Sequence, residues 1–279
     1  MYTALNSRTW PDNMAPDEQL VATARAGFAG LELVLSDDGP LCAGAPIREF
    51  AAVRRQAEEL GLRIVGLATG AFWQFNYASS TETERRRALE LTVNLLDRAV
   101  AAGAGAVLVV PAVVGRADEV APRTGYAEAW HRTLEALHEL RHEAEARGVA
   151  LAVENVWNRF LLSPLELAGL IDEVNSPCVG VYLDVGNCLA YGYPEDWITL
   201  LGGRIVRVHA KDYDLSRPGY AGFCGLGEGN IDWPGVVSAL RAVGYDGPVT
   251  YEGAGEPAEV CRRLRVILAG RSPVDKERS

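Results

Sequence analysis

Four apolar runs in the second half of the chain each stop on a side chain that can bind a metal ion or carry a proton. LAVE ends at Glu154, VYLD at Asp184, VRVH at His209 and VTYE at Glu252. A charged group at a buried strand end costs on the order of several kcal/mol unless it is paired or bound to a metal. One such residue is commonly a strand leaving the core, whereas three carboxylates and an imidazole at equivalent places point to one shared site. The set contains no thiolate, so it suits a divalent ion, Mn²⁺ first, with Mg²⁺, Co²⁺ and Zn²⁺ as alternatives. Four protein ligands in an octahedral shell leave two positions, enough for two adjacent oxygens of a sugar. That arrangement polarises a carbonyl and stabilises the enediolate left when a neighbouring C–H is deprotonated.

These positions need a scaffold that brings successive strand ends together. Short Val/Ile/Leu-rich runs occur at 2–5, 30–35, 63–68, 106–110, 150–153, 179–183, 205–208 and 248–251. Amphipathic stretches follow them at 16–26, 46–60, 81–101, 124–147, 163–174, 194–201, 232–242 and about 256–268. The alternation predicts parallel β/α units, and strands that are apolar throughout are those buried on both faces. Ser163-Pro164, and more weakly Ala15-Pro16, read as helix starts. Gly27, Gly61, Gly103, Gly148 and Gly244 fall where a left-handed helix end belongs. The rival, a doubly wound open sheet, would carry a Gly-rich turn after its first strand, and none follows residues 2–5. The fold class is therefore a single α/β (β/α)8 TIM barrel over 1–270, with a polar tail at 271–279 expected to fray.

Composition narrows the function. A net charge of −10 argues against a nucleic-acid binder, which needs a basic face. The five cysteines form no CxxC pair and fit free thiols in a reducing cytoplasm. The start MYTALNSRTW lacks a basic and apolar leader. The apolar stretch at 98–116 is broken by Gly103, Gly105 and Pro111, so no membrane span is expected.

At these residues the sequence resembles the xylose-isomerase-like barrel superfamily of sugar phosphate isomerases and epimerases. Within it the chain looks like the ketose 3-epimerases and the L-xylulose- or L-ribulose-5-phosphate 3-epimerases. The matching segments are GFAGLELVL (27–35), VENVWNRFLLSP (153–164), VYLDVGN (181–187), VRVHAKD (206–212), LGEGNIDW (226–233) and GYDGPVTYE (244–252). The resemblance implies one metal held by Glu154, Asp184, His209 and Glu252, with Glu154 and Glu252 also the acid/base pair. One glutamate would remove the proton beside the carbonyl and the other would return one to the opposite face. The substrate implied is a small sugar or sugar phosphate, and relatives commonly form dimers or tetramers, so a homo-oligomer is expected.

One departure matters: many relatives acting on free sugars have His after Asp-x-Gly, where this chain has Asn187. Asn can hydrogen-bond a sugar oxygen but cannot shuttle a proton near neutral pH, and DVGN looks more like the pentulose-phosphate branch. Lys211 and Arg159, in loops beyond catalytic strands, are the candidate phosphate partners, or else surface charges. Trp73 is placed either to cover the sugar's apolar face or to pack. Glu32 is an internal hydrogen-bonding residue or a reactant. The glycines of GLGEGN (225–230) either cradle a phosphate or make a turn. His131, His138 and His142 fall on a solvated helix face.

Three other functions compete. An abasic-site endonuclease of this fold would hold three metals with several more histidines. A dehydratase of an inosose or related keto-polyol could use the same carboxylates. A non-catalytic sugar-binding barrel would not need two opposed glutamates.

Overall fold

The computed structural model describes residues 1–116 and 124–273. Most of the tail expected to fray, residues 274–279, lies outside the described residues. Eight parallel strands close into a barrel: β1 (Tyr2–Asn6), β2 (Gly30–Leu35), β3 (Arg63–Thr69), β4 (Ala106–Val109), β5 (Ala150–Glu154), β6 (Val179–Asp184), β7 (Ile205–Ala210) and β8 (Pro248–Tyr251). Closure is made by β1 against β8, with Tyr2 opposite Pro248 and Leu5 opposite Tyr251. Each run is Val-, Leu- or Ile-rich because its two faces meet the barrel interior and the helix ring. All four residues of β4 (AVLV) are buried.

The outer helices are α1 (Pro16–Ala26), α2 (Ile47–Glu59), α3 (Glu82–Ala102), α4 (Tyr126–Arg147), α5 (Pro164–Val174), α6 (Pro194–Leu201), α7 (Trp233–Ala242) and α8 (Pro257–Leu268). Their bounds follow the expected stretches within about two residues, and the local chemistry explains why. Ser163 caps α5 by accepting from the Glu166 amide, and the Glu166 carboxylate accepts back from the Ser163 amide. At α1, Ala15 has no side-chain cap, and its amide donates to Glu18 instead. All five glycines expected at helix ends have positive φ, from 63° to 92°.

Two pieces depart from the simple alternation, and both lie above the strand ends. A one-turn helix, Val185–Cys188, follows β6 directly. Beyond β7, Asp212–Tyr213 and Phe223–Cys224 pair as a short antiparallel ribbon. No helix among the described residues is long and apolar enough to cross a membrane.

Candidate active site

The strand register assembles the ligand set. Asp184 on β6 lies directly opposite His209 on β7, while Glu154 on β5 pairs with Tyr182, one pleat lower on β6. Glu252 continues the ladder just past β8, its amide donating to Ala210 O at 3.2 Å. One ligand atom from each of Glu154, Asp184, His209 and Glu252 lies within 4.8 Å of the other three. The sequence places these residues far apart; the barrel stagger brings them to one point.

Each of these side chains is held by its neighbours. Asn155, next to Glu154, clamps the backbone of Asp184 on both sides: its Oδ1 accepts from Asp184 N at 2.7 Å and its Nδ2 donates to Asp184 O at 2.9 Å. Asp184 Oδ1 is spent as the cap of the one-turn helix, accepting from Asn187 N at 2.8 Å. That leaves Asp184 Oδ2, which is buried and, like Glu252 Oε2, faces the Lys211 ammonium. His209 Nε2 faces Glu32 Oε2 at 2.8 Å, and its Nδ1 lies 3.4 Å from both Glu154 and Glu252. Glu32 is fully buried and also accepts from Asn6 Nδ2 at 2.6 Å and Tyr182 OH at 2.5 Å. A proton held on Nε2 by Glu32 would leave Nδ1 to bind a cation among the carboxylates, the arrangement by which a carboxylate orients a metal-binding imidazole. Converging buried carboxylate oxygens beside an imidazole are a donor set that a hard or borderline divalent cation takes.

Lys211 enters this cluster too. Its Nζ lies 2.8 Å from Glu252 Oε2 and 3.1 Å from Asp184 Oδ2. It follows His209 by two residues, so the strand period of two turns both side chains to the barrel mouth. Lys211 is thereby committed to the ligand carboxylates rather than standing free for a phosphate. The charges divide the two glutamates. Burial, with Glu252 and Asp184 nearby, pushes Glu154 up to about 7 despite the His209 contact. Burial also opposes ionisation of Glu252, but Lys211 and His209 outweigh it and hold that carboxyl at about 2. Burial disfavours the Lys211 ammonium, yet Asp184, Glu252 and Glu154 raise it well above its ordinary value.

A cavity of about 330 Å³ opens over the cluster, lined in part by Trp73, Asn187, Lys211, Trp157, Tyr220 and Phe223. This is near the lower bound of small-molecule pockets, about 300–1,000 Å³, and suits a compact substrate. Trp73 sits in a 3₁₀ turn after β3 with the Arg116 guanidinium 5.2 Å from its ring. Asn187 reaches the cavity wall, although its Nδ2 is engaged with Asn155 O at 3.0 Å. Trp157 packs against Tyr220 and Phe223, at 5.4 and 5.0 Å, and those two rings lie 6.5 Å apart, so this aromatic cluster roofs one side of the mouth.

Arg159 is elsewhere. Positive φ at Arg159 (57°) and Leu161 (55°) buries Trp157, Phe160 and Leu161 and leaves Arg159 exposed, outside the cavity lining. The GLGEGN loop wraps an internal anion instead of a ligand. Asp212, fully buried, accepts from Gly227 N at 2.7 Å and Trp233 Nε1 at 2.9 Å. A Cβ at Gly229 would lie 2.2 Å from Asp212 Oδ1, so only glycine fits there. His131, His138 and His142 all lie on α4, away from the cluster.

Sequence reading passed over Asn6, Arg8 and Asn155. The signal available was spacing: Arg8 follows Asn6 by two at the end of β1, as Lys211 follows His209.

A closed eight-stranded parallel barrel with side chains converging at its C-terminal strand ends has the architecture of barrel enzymes, and the carboxylates and imidazole gathered there could hold a metal ion. The family described as Xylose isomerase-like TIM barrel matches residues 20–267, and the chain belongs to it. Among curated relatives, 3-oxo-isoapionate decarboxylase of Pectobacterium atrosepticum is 29% identical over 204 residues, 69% of this chain and 73% of that protein. L-ribulose-5-phosphate 3-epimerase of Salmonella typhi is 27% identical over 202 residues, 72% of this chain and 68% of that protein. Among solved structures, D-psicose 3-epimerase from Clostridium cellulolyticum superposes with a TM-score of 0.76 at 20% identity, covering 92% of this chain and 86% of that one. The named relatives are enzymes, in keeping with the expectation of an enzyme here.

Proposed function

We propose that this protein is a metal-dependent isomerase or epimerase of a small ketose or ketose phosphate. The observation that carries the reading is the convergence of Glu154, Asp184, His209 and Glu252, with His209 oriented by Glu32, at the floor of a small cavity. A divalent ion, Mn²⁺ by first preference, would supply the positive charge that polarises the ketose carbonyl. Asp184 Oδ2 and His209 Nδ1 would hold it together with the two glutamates.

Glu154 and Glu252 would form the acid/base pair, one taking the proton from the carbon beside the carbonyl and the other returning one to the opposite face. Lys211, whose Nζ lies 2.8 Å from Glu252 Oε2, favours the ionised form of that glutamate. Trp73, Trp157 and Phe223 would cover the apolar side of the sugar and exclude water. The relatives named as L-ribulose-5-phosphate 3-epimerase and D-psicose 3-epimerase support this chemistry for a ketose.

The relative named as a decarboxylase favours a second reading, in which the same anion forms by loss of CO₂ rather than of a proton. An NMR assay in D₂O separates the two. Mn²⁺-loaded protein should place deuterium beside the carbonyl of a ketose or ketose phosphate, and Glu154→Gln and Glu252→Gln should each abolish it. Release of CO₂ from a keto sugar acid, without exchange into any ketose, would refute the epimerase reading and favour the decarboxylase.

A further inference from the structure

We propose that Arg8 recognises an anionic group, a phosphate ester or a carboxylate, on the sugar bound beside Glu154, Asp184, His209 and Glu252. This rests on the ketose reading above and names the substrate class more closely.

Arg8 lines the same cavity as Glu154, His209 and Glu252. Of the two other cations considered for this role, Lys211 is bound to Asp184 and Glu252, and Arg159 lies outside the cavity lining. Among the described residues the Arg8 guanidinium has no ion pair, although its charge is felt at Glu252. Its backbone is fixed on the framework that orients His209. Asn6 Oδ1 accepts from Arg8 N at 3.0 Å, while the other end of the same amide donates to Glu32. On its far side Thr9 Oγ1 reaches Gly253 O at 3.4 Å, next to Glu252. The side chain has also been given room: a Cβ at Gly70 would lie 2.9 Å from Arg8 Nη2.

The charges at the site make the same point. Glu32, Glu154, Asp184 and Glu252 crowd carboxylates at the cavity floor, where Lys211 is already paired with two of them. Arg8 adds a positive charge to the lining of the same cavity, and guanidinium is the side chain that binds phosphate or carboxylate in a two-pronged fashion.

The test compares L-ribulose 5-phosphate with L-ribulose, which differ only in the phosphate, using Mn²⁺-loaded wild type, Arg8→Gln and Arg8→Lys. Arg8→Gln should lower the ratio of kcat/KM for phosphorylated over free sugar by roughly 30- to 100-fold, mainly through KM, with Arg8→Lys recovering part. A ratio unmoved by Arg8→Gln overturns the proposal while the ketose reading stands. If neither sugar reacts, the ketose reading fails, and calorimetry with inorganic phosphate and with L-threonate decides the matter. Binding of either probe weakened at least tenfold by Arg8→Gln supports the anion site and identifies it as a phosphate or a carboxylate site; equal binding in both proteins overturns it.

Discussion

Removing metal from this protein should make its stability depend on pH in a direction set by Glu154. Burial, then Glu252 and Asp184, raise that carboxyl from 4.5 to about 7 in the folded chain. A raised carboxyl favours folding while it is protonated in both states, so its contribution is complete below pH 4.5 and is lost as pH climbs through about 7. A difference of this size corresponds to about 3 kcal/mol, or a fall in Tm of roughly 6–12 °C for a domain of this length. Glu252, held at about 2, contributes evenly over this window and loses its effect only in stronger acid. His209, also raised well above its ordinary value, adds its own loss only above pH 6.5. The measurement is therefore calorimetry of EDTA-treated wild type and Glu154→Gln from pH 5 to 7. The wild-type Tm should fall with pH, and the variant profile should be flatter by the Glu154 contribution. Added Mn²⁺ should reverse the wild-type trend, because ligand carboxylates must be ionised to bind it. Parallel profiles for the two proteins without metal would refute the reasoning.

Two further outcomes follow from the contacts around His209 and Lys211. Glu32→Gln removes the carboxylate that orients the imidazole, and Mn²⁺ affinity measured by calorimetry should fall by about 10- to 100-fold. Lys211→Met leaves Asp184 and Glu252 without their cation, so the EDTA-treated protein should lose on the order of 3 kcal/mol of stability in urea unfolding. The same variant should bind Mn²⁺ more tightly, since a competing positive charge has gone.

What the sequence by itself determined was the repeating unit and the ends of its strands. Continuous apolar runs of four to seven residues have few fates beside buried parallel strands, and helix starts such as Ser163-Pro164 leave little latitude at the boundaries. Charged residues stopping such runs stand out because burial makes them expensive, which is why Glu154, Asp184, His209 and Glu252 could be picked out together. Tertiary structure decided which polar groups face which. Whether GLGEGN holds a ligand depended on Asp212, fifteen residues before Gly227 in the chain but inside the loop in space. Whether Lys211, Arg159 or Arg8 reaches the cavity depended on backbone direction after the strand. An extended step of two keeps Lys211 pointing inward, while left-handed φ at Arg159 leaves that side chain exposed. Glu32 gained its place beside His209 only because the barrel closes across strands distant in sequence. Local periodicity encodes burial, but the partner of a buried charge is set by the stagger of the closed sheet.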